Sequence, residues 1–269
     1  MKKYDSFLIA LTLGMLLGSP VAHTLSISDT PLFLNISAPP AVLFNLSVEG
    51  PMGGPAYSGT YSDLEEYLGI FDANTCYTYN NSGVGAPNMT GRFEPVTSGV
   101  TSHSCSTGWS GNFLNWATMR SIDMMIWNLT GGNRVRDTAG ASAETVLRAA
   151  RKTGYFTSRT LTIPAGAAPV TGSQTINYTT DYGFTFASGD SYNIQVLVCK
   201  KATSPTSPRP ESNCTAYTDN ATTPNTYYKP EGLIQKNAEK MRFALTSYCL
   251  LYTSPSPRDR TRSRMPSSA

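Results

Sequence analysis

The chain has 269 residues, a formal net charge of +3, 14% charged residues and only two histidines. The length suits one large domain or a domain with insertions, and His103 alone, with His23 at or before the mature terminus, argues against His-based catalysis or a His-rich metal centre. The charge gives no case for a nucleic-acid or other polyanion partner. Four arginines (Arg258, Arg260, Arg262, Arg264) less Asp259 give the last stretch +3, so everything before Tyr252 sums to zero.

The chain opens with Lys2 and Lys3, runs apolar over residues 7–17 and breaks at Gly18, Ser19 and Pro20. A basic start, a short apolar stretch and small residues are the pattern of a secretory signal peptide. Residues 1–24 are assigned to it, with cleavage near Ala22. The apolar stretch is shorter than the ~20 residues of a membrane span. No later segment is apolar enough to anchor the chain, so an exported product without a membrane span is expected. Abundant Thr, Ser, Asn, Gly and Tyr suit an extracellular surface.

Residues 31–37 and 41–46 read as two strands separated by Pro39 and Pro40, the second a buried central one. Residues 50–59 are Gly/Pro-rich and read as a loop. An aromatic, Asn/Gly-rich excursion covers 71–105. A helix is expected from Ser110 to Gly131, apolar over an arc wide enough for burial on more than one side. A second helix is expected over 142–152, ending at Gly154. Residues 155–228 lose the helical period and read as an antiparallel β insertion. Within it, Tyr192, Ile194, Val196 and Val198 alternate with Asn193 and Gln195, as in a half-buried strand. Helix then returns at Pro230, where Ile234, Ala238, Met241, Leu245 and Tyr248 step along one face. Residues 252–269 have no core-forming periodicity and read as a non-native tail.

Five cysteines are present, none in C-x-x-C spacing. Export permits disulfides. The simplest pairing joins neighbours, Cys76 with Cys105 and Cys199 with Cys214, leaving Cys249; other connectivities stay open. Closing a loop of about 15 residues contributes roughly 3 kcal/mol in the chain-entropy model.

Few residues could carry chemistry. Gly108-Trp-Ser110-Gly-Asn112 resembles a nucleophile elbow, but Asn112 replaces the final glycine and no clear strand precedes it. A helix N-cap is the better role for Ser110. Asp72-Ala-Asn74-Thr-Cys76 alternates oxygen ligands as calcium loops do, yet lacks the central glycine and closing glutamate, which favours turn chemistry. The aromatics of residues 76–79 suit core packing or a glycan or protein contact surface.

Three stretches together resemble the N-terminal region of the PilC/PilY family of type IV pilus proteins. They are Trp109-Ser-Gly-Asn-Phe-Leu-Asn-Trp-Ala-Thr-Met119 with Ile122-Asp123 and Leu129-Thr-Gly-Gly132; Pro31-Leu-Phe-Leu with Pro39-Pro40; and Lys229-Pro-Glu-Gly-Leu-Ile-Gln-Lys-Asn-Ala-Glu-Lys-Met-Arg-Phe243. Arg92-Phe-Glu-Pro95 supports them. The resemblance implies an α/β, von Willebrand factor A-like domain over 25–251, with antiparallel β insertions, truncated on its C-terminal side. It implies a non-enzymatic pilus biogenesis factor and tip adhesin, partnered by minor pilins, the assembly machinery and host-cell or abiotic surfaces. Its place would be the periplasm, outer membrane or pilus tip. The alternative is a secreted carbohydrate-binding or surface-attachment protein unrelated to pili.

Many A-type domains end their first strand in Asp-x-Ser-x-Ser, which holds a magnesium ion. The matching positions here are Ser47, Glu49 and Pro51. Proline has no hydroxyl and the anchoring aspartate is lost, so the expectation is no metal and no cofactor at this loop.

Overall fold

The computed structural model describes residues 39–47, 49–82, 91–98, 100–151, 153–179, 182–187, 189–201 and 210–248. The signal peptide, the strand expected at 31–37, Cys249 and the 252–269 tail lie outside the described residues.

A mixed six-stranded sheet forms the centre. Its strands, in spatial order, are β4 (Trp109–Ser110), β2 (Thr75–Asn80), β3 (Arg92–Ser98), β11 (Gln195–Val198), β6 (Thr145–Arg148) and β5 (Arg134–Asp137). Only β3 and β11 run parallel; the other neighbours are antiparallel. All four residues of β11 are buried, as expected of a central strand covered on both faces. A second sheet is an antiparallel meander in the order β10 (Ser191–Asn193), β9 (Gly183–Phe186), β8 (Gly172–Tyr178) and β7 (Arg159–Ile163). Its strands alternate, so that Leu161 and Ile163, or Ile176 and Tyr178, turn inward while Thr160 and Thr162 stay wet.

Two helices follow β4, α1 (Gly111–Thr118) and α2 (Ser121–Thr130). Every residue of α1 is buried, which matches the wide apolar arc in the sequence. The single helix expected over this stretch is broken at Met119 and Arg120, both extended. The backbone there is taken by the Gly/Pro loop: Ala56 N donates to Met119 O at 2.9 Å, and Ser121 N donates to Gly54 O at 3.1 Å. Left-handed Gly131 ends α2, as its position predicts. The core is aromatic, with Trp109 packed among Phe93, Phe184, Phe186 and Tyr192 at centroid distances of 4.8–5.9 Å.

Two expected helices are strands. Residues 142–152 supply β6, where Val146 and Leu147 are both buried between β5 and β11. Burial on both faces removes the alternation that would have marked a strand. The helix expected over residues 230–248 survives only as α3 (Leu233–Asn237); residues 242–248 form β14 (Arg242–Tyr248), parallel to β1 (Ala41–Ser47). Phe243 stacks on Phe44 with centroids 6.0 Å apart. That long-range partner outweighs the four-three spacing, which is local.

From 155 to 225 every regular element among the described residues is a strand. The last pair, β12 (Cys214–Thr218) and β13 (Thr226–Pro230), forms a hairpin of its own.

Candidate functional site

The most distinctive sequence run, residues 109–119, is a structural keystone. Ser110 caps α1 by accepting from Phe113 N at 3.3 Å, and its own proton goes to the His103 carbonyl. The His103 ring turns elsewhere, its Nδ1 lying 2.7 Å from Asp63 O. The serine is therefore a buried cap with no histidine base on its hydroxyl. Gly111 is required: a Cβ there would stand 2.0 Å from the Asp72 carbonyl oxygen. Asn112 and Asn115 then lace the 65–71 segment onto α1. Asn112 Oδ1 accepts from Tyr67 N at 2.6 Å while its amide donates to Glu65 O at 2.7 Å. Asn115 does the same with Phe71 N at 3.1 Å and the carbonyls of Tyr67 and Phe71. Fully buried amides with all these bonds made rigidify a segment with little regular structure of its own. Arg159 closes the far side, stacked 4.0 Å over Trp116.

Asp72 spends its carboxylate on its own turn, accepting from Asn74 N at 2.8 Å and Thr75 Oγ1 at 3.0 Å. Tyr77 is fully buried and Tyr79 Oη accepts from Asn193 N at 2.9 Å, so both serve the core. The disulfides are Cys76–Cys105 and Cys199–Cys214, with Cα atoms 5.8 and 5.6 Å apart. The first ties β2 to the loop before β4; the second ties the end of β11 to the start of the β12–β13 hairpin.

Ser47 ends β1, and its Oγ accepts from Glu49 N at 3.3 Å. Pro51 sits in a 3-10 turn, Gly50–Gly53, whose glycines abut Tyr155 and Thr153. Among the described residues, three potential ligands converge at Cys199, Glu211 and Cys214 alone, and both thiols there are consumed by the disulfide.

Two features were not singled out from the sequence. Glu211 stands at the neck of the Cys199–Cys214 loop, where it accepts from Cys199 N at 2.6 Å. Burial, with a further contribution from Asp72, raises its carboxyl to about 7. The other is a cleft of about 310 Å3 between the hairpin and the loop after β5. Lys229 reaches across it, bonding Asp137, the Thr138 carbonyl and, at 3.0 Å, Thr145 Oγ1. Arg134 Nη1 donates to Asp137 Oδ2 at 3.0 Å. Burial works to raise Asp137, but the bonds from Lys229 and Arg134 win and hold it below the ordinary carboxylate range. Glu231 is likewise held low against burial, by bonds from Tyr217 and Thr215. Thr215 and Tyr217 on β12 stand opposite Lys229 and Tyr227 on β13 and share this face.

The fold is thus a disulfide-bonded α/β domain, richer in sheet than in helix. Residues 58–209 match a family model described as "PilY1 homolog, small alpha/beta domain". The chain belongs to the PilY1 homolog family. A Xylella fastidiosa (strain Temecula1) protein named "Type IV pilus biogenesis factor PilY1 homolog" is 29% identical over 279 residues, covering 87% of this chain and 22% of that protein. Another of the same name and organism is 33% identical over 91 residues, covering 34% of this chain and 6% of its own. The chain spans about a fifth of the length of the first relative and less of the second. No solved structure matches. No helix among the described residues is long and apolar enough to cross a membrane.

Proposed function

We propose that the chain is part of a type IV pilus biogenesis factor that works without catalysis, through protein–protein contact, as the N-terminal region of a tip adhesin. Its family membership carries this reading. The burial of the residues 109–119 motif supports it, because the most distinctive residues of the chain are spent on scaffold, as suits a contact protein. The proposed partners are minor pilins and the assembly machinery, with a host-cell or abiotic surface on the adhesive side. The two disulfides fit export to the periplasm, outer membrane or pilus tip.

The finer fold reading is a von Willebrand factor A-like scaffold over residues 25–251 that carries antiparallel β insertions. The parallel pairing of β1 with β14 supports it, because residues matched by the family model lie between those strands. Leu43, exposed at 63%, lies on the face opposite Phe44, Phe243 and Leu245. Apolar residues on both faces are what a parallel sheet covered on both sides requires. In this reading residues 1–24 are a signal peptide, 25–251 the A-like region with its β insertion at 155–228, and 252–269 a non-native tail.

At the strand-end loop we propose that Ser47, Glu49 and Pro51 hold no metal. Isothermal titration with magnesium should give no heat of binding; tight binding abolished by Glu49→Ala would overturn this. For the partners, the chain immobilised on a sensor should bind purified minor pilins saturably, and a flat response to all of them would contradict the assembly role.

A further inference from the structure

We propose that the cleft beside the β12–β13 hairpin binds a neutral glycan, with Tyr217 and Tyr227 as the stacking platform and Arg134 and Asp137 as the hydroxyl-binding pair. The inference rests on the adhesive part of the reading above and is independent of pilus assembly.

Tyr217 and Tyr227 are directly paired across the hairpin, with ring centroids 6.0 Å apart and planes within 18° of parallel. Tyr217 is the outer ring, 39% exposed, although a large aromatic gains by being covered. Lys229 Nζ lies 5.6 Å from the Tyr227 centroid on the same hairpin face. Cross-strand aromatic pairing alone would account for two adjacent rings. It would not account for the cleft of about 310 Å3 that they line, or for the polar groups set into its wall.

A platform must also be held. An isolated two-stranded hairpin is marginal in water, yet this one is fixed at its root by Cys199–Cys214 and along its face by Lys229 on Asp137. Glu231 fixes the platform side chain itself, accepting from Tyr217 Oη and, at 2.7 Å, from Thr215 Oγ1. The ring is therefore pre-oriented, which lowers the entropy that a ligand would have to overcome.

Charge selects the ligand class. Arg134 and Lys229 in the cleft wall both pair with Asp137, and Glu231, outside the wall, bonds Tyr217 Oη beside it, so the two cations are offset by two carboxylates at and next to the cleft. It has nothing to concentrate an anionic glycan or a cationic peptide. Arg134 and Asp137, paired at 3.0 Å and 27% and 36% exposed at their side chains, present adjacent donors and acceptors to solvent. Vicinal sugar hydroxyls need that combination, while the C–H face of a sugar ring lies flat on tyrosine.

The test is titration of the purified full chain with cellohexaose, chitohexaose and a heparin hexasaccharide, followed by NMR. At least one neutral hexasaccharide should bind in the millimolar range or tighter, with shifts centred on Tyr217 and Tyr227. Tyr217→Ala should weaken it at least roughly tenfold, and Tyr217→Phe, which keeps the ring, should retain most of it. Mapping on the unmodified chain decides the matter even if the alanine variant misfolds. Absence of neutral binding, shifts centred elsewhere, or tighter binding of heparin would each overturn the proposal. Pilus assembly is read separately by counting pili, so failure here leaves that reading standing.

Discussion

At the residue scale, the molecule is most exposed to damage where charge is buried. Arg120 is fully buried, its guanidinium 4.4 Å over Phe156 and 3.6 Å from the Asp123 carboxylate. Asp123 also accepts from Ala150 N at 2.6 Å and Arg120 N at 3.0 Å, capping α2. Asp123→Ala strands a buried cation and two backbone donors, and should cost about 3–5 kcal/mol in urea unfolding. Asp123→Asn, which keeps an acceptor, should cost less. Glu211 sets a pH dependence. Its folded carboxyl titrates at about 7, against an ordinary 4.5, so the fold prefers the protonated form. Its stabilisation is complete below pH 4.5 and is lost as pH rises towards 7, at most roughly 3 kcal/mol. The urea midpoint should therefore fall across that window in the native chain and fall less in Glu211→Gln; identical slopes would count against a buried, protonated Glu211. Asp123, also raised by burial, adds to the slope in both proteins and cancels in the comparison.

At the element scale, sequence legibility followed the range of the interactions. Local signals read well: the Ser110 cap, the Gly131 stop and the Asp72 turn all depend on residues close in sequence. The single half-buried strand expected up to Val198 is instead two strands in different sheets, β10 and β11, the second buried on both faces. What was lost depends on distant partners. β14 carries a helical spacing but pairs with β1, and Thr246 Oγ1 reaches Phe44 O across 202 residues. β6 has no alternation because both its faces are covered. The break at Arg120 needs the Gly54–Ala56 backbone to be in place. The candidate cleft escaped notice because Arg134 and Asp137 on β5 meet the hairpin only through the fold. The disulfides matter most for the elements with the least core. Replacing Cys199 and Cys214 with serine should release the β12–β13 hairpin, and roughly 3 kcal/mol of loop-closure entropy with it. Hydrogen exchange would show this as loss of protection at residues 214–230 with the six-stranded sheet kept; uniform loss would mean the hairpin is integral to the global fold.

At the scale of the whole molecule, a rigid aromatic core, two covalent ties and two asparagines lacing a loop to a helix describe a scaffold that presents surfaces. That organisation, with PilY1 homolog family membership, supports the proposed role in pilus biogenesis. The most direct measurement is a count of surface pili, by electron microscopy and by sheared pilin, in cells whose copy of the gene lacks the codons for residues 41–248. Surface pili should be lost or sharply reduced, and the intact gene should restore them. Undiminished piliation in the deletion strain would contradict the proposed role.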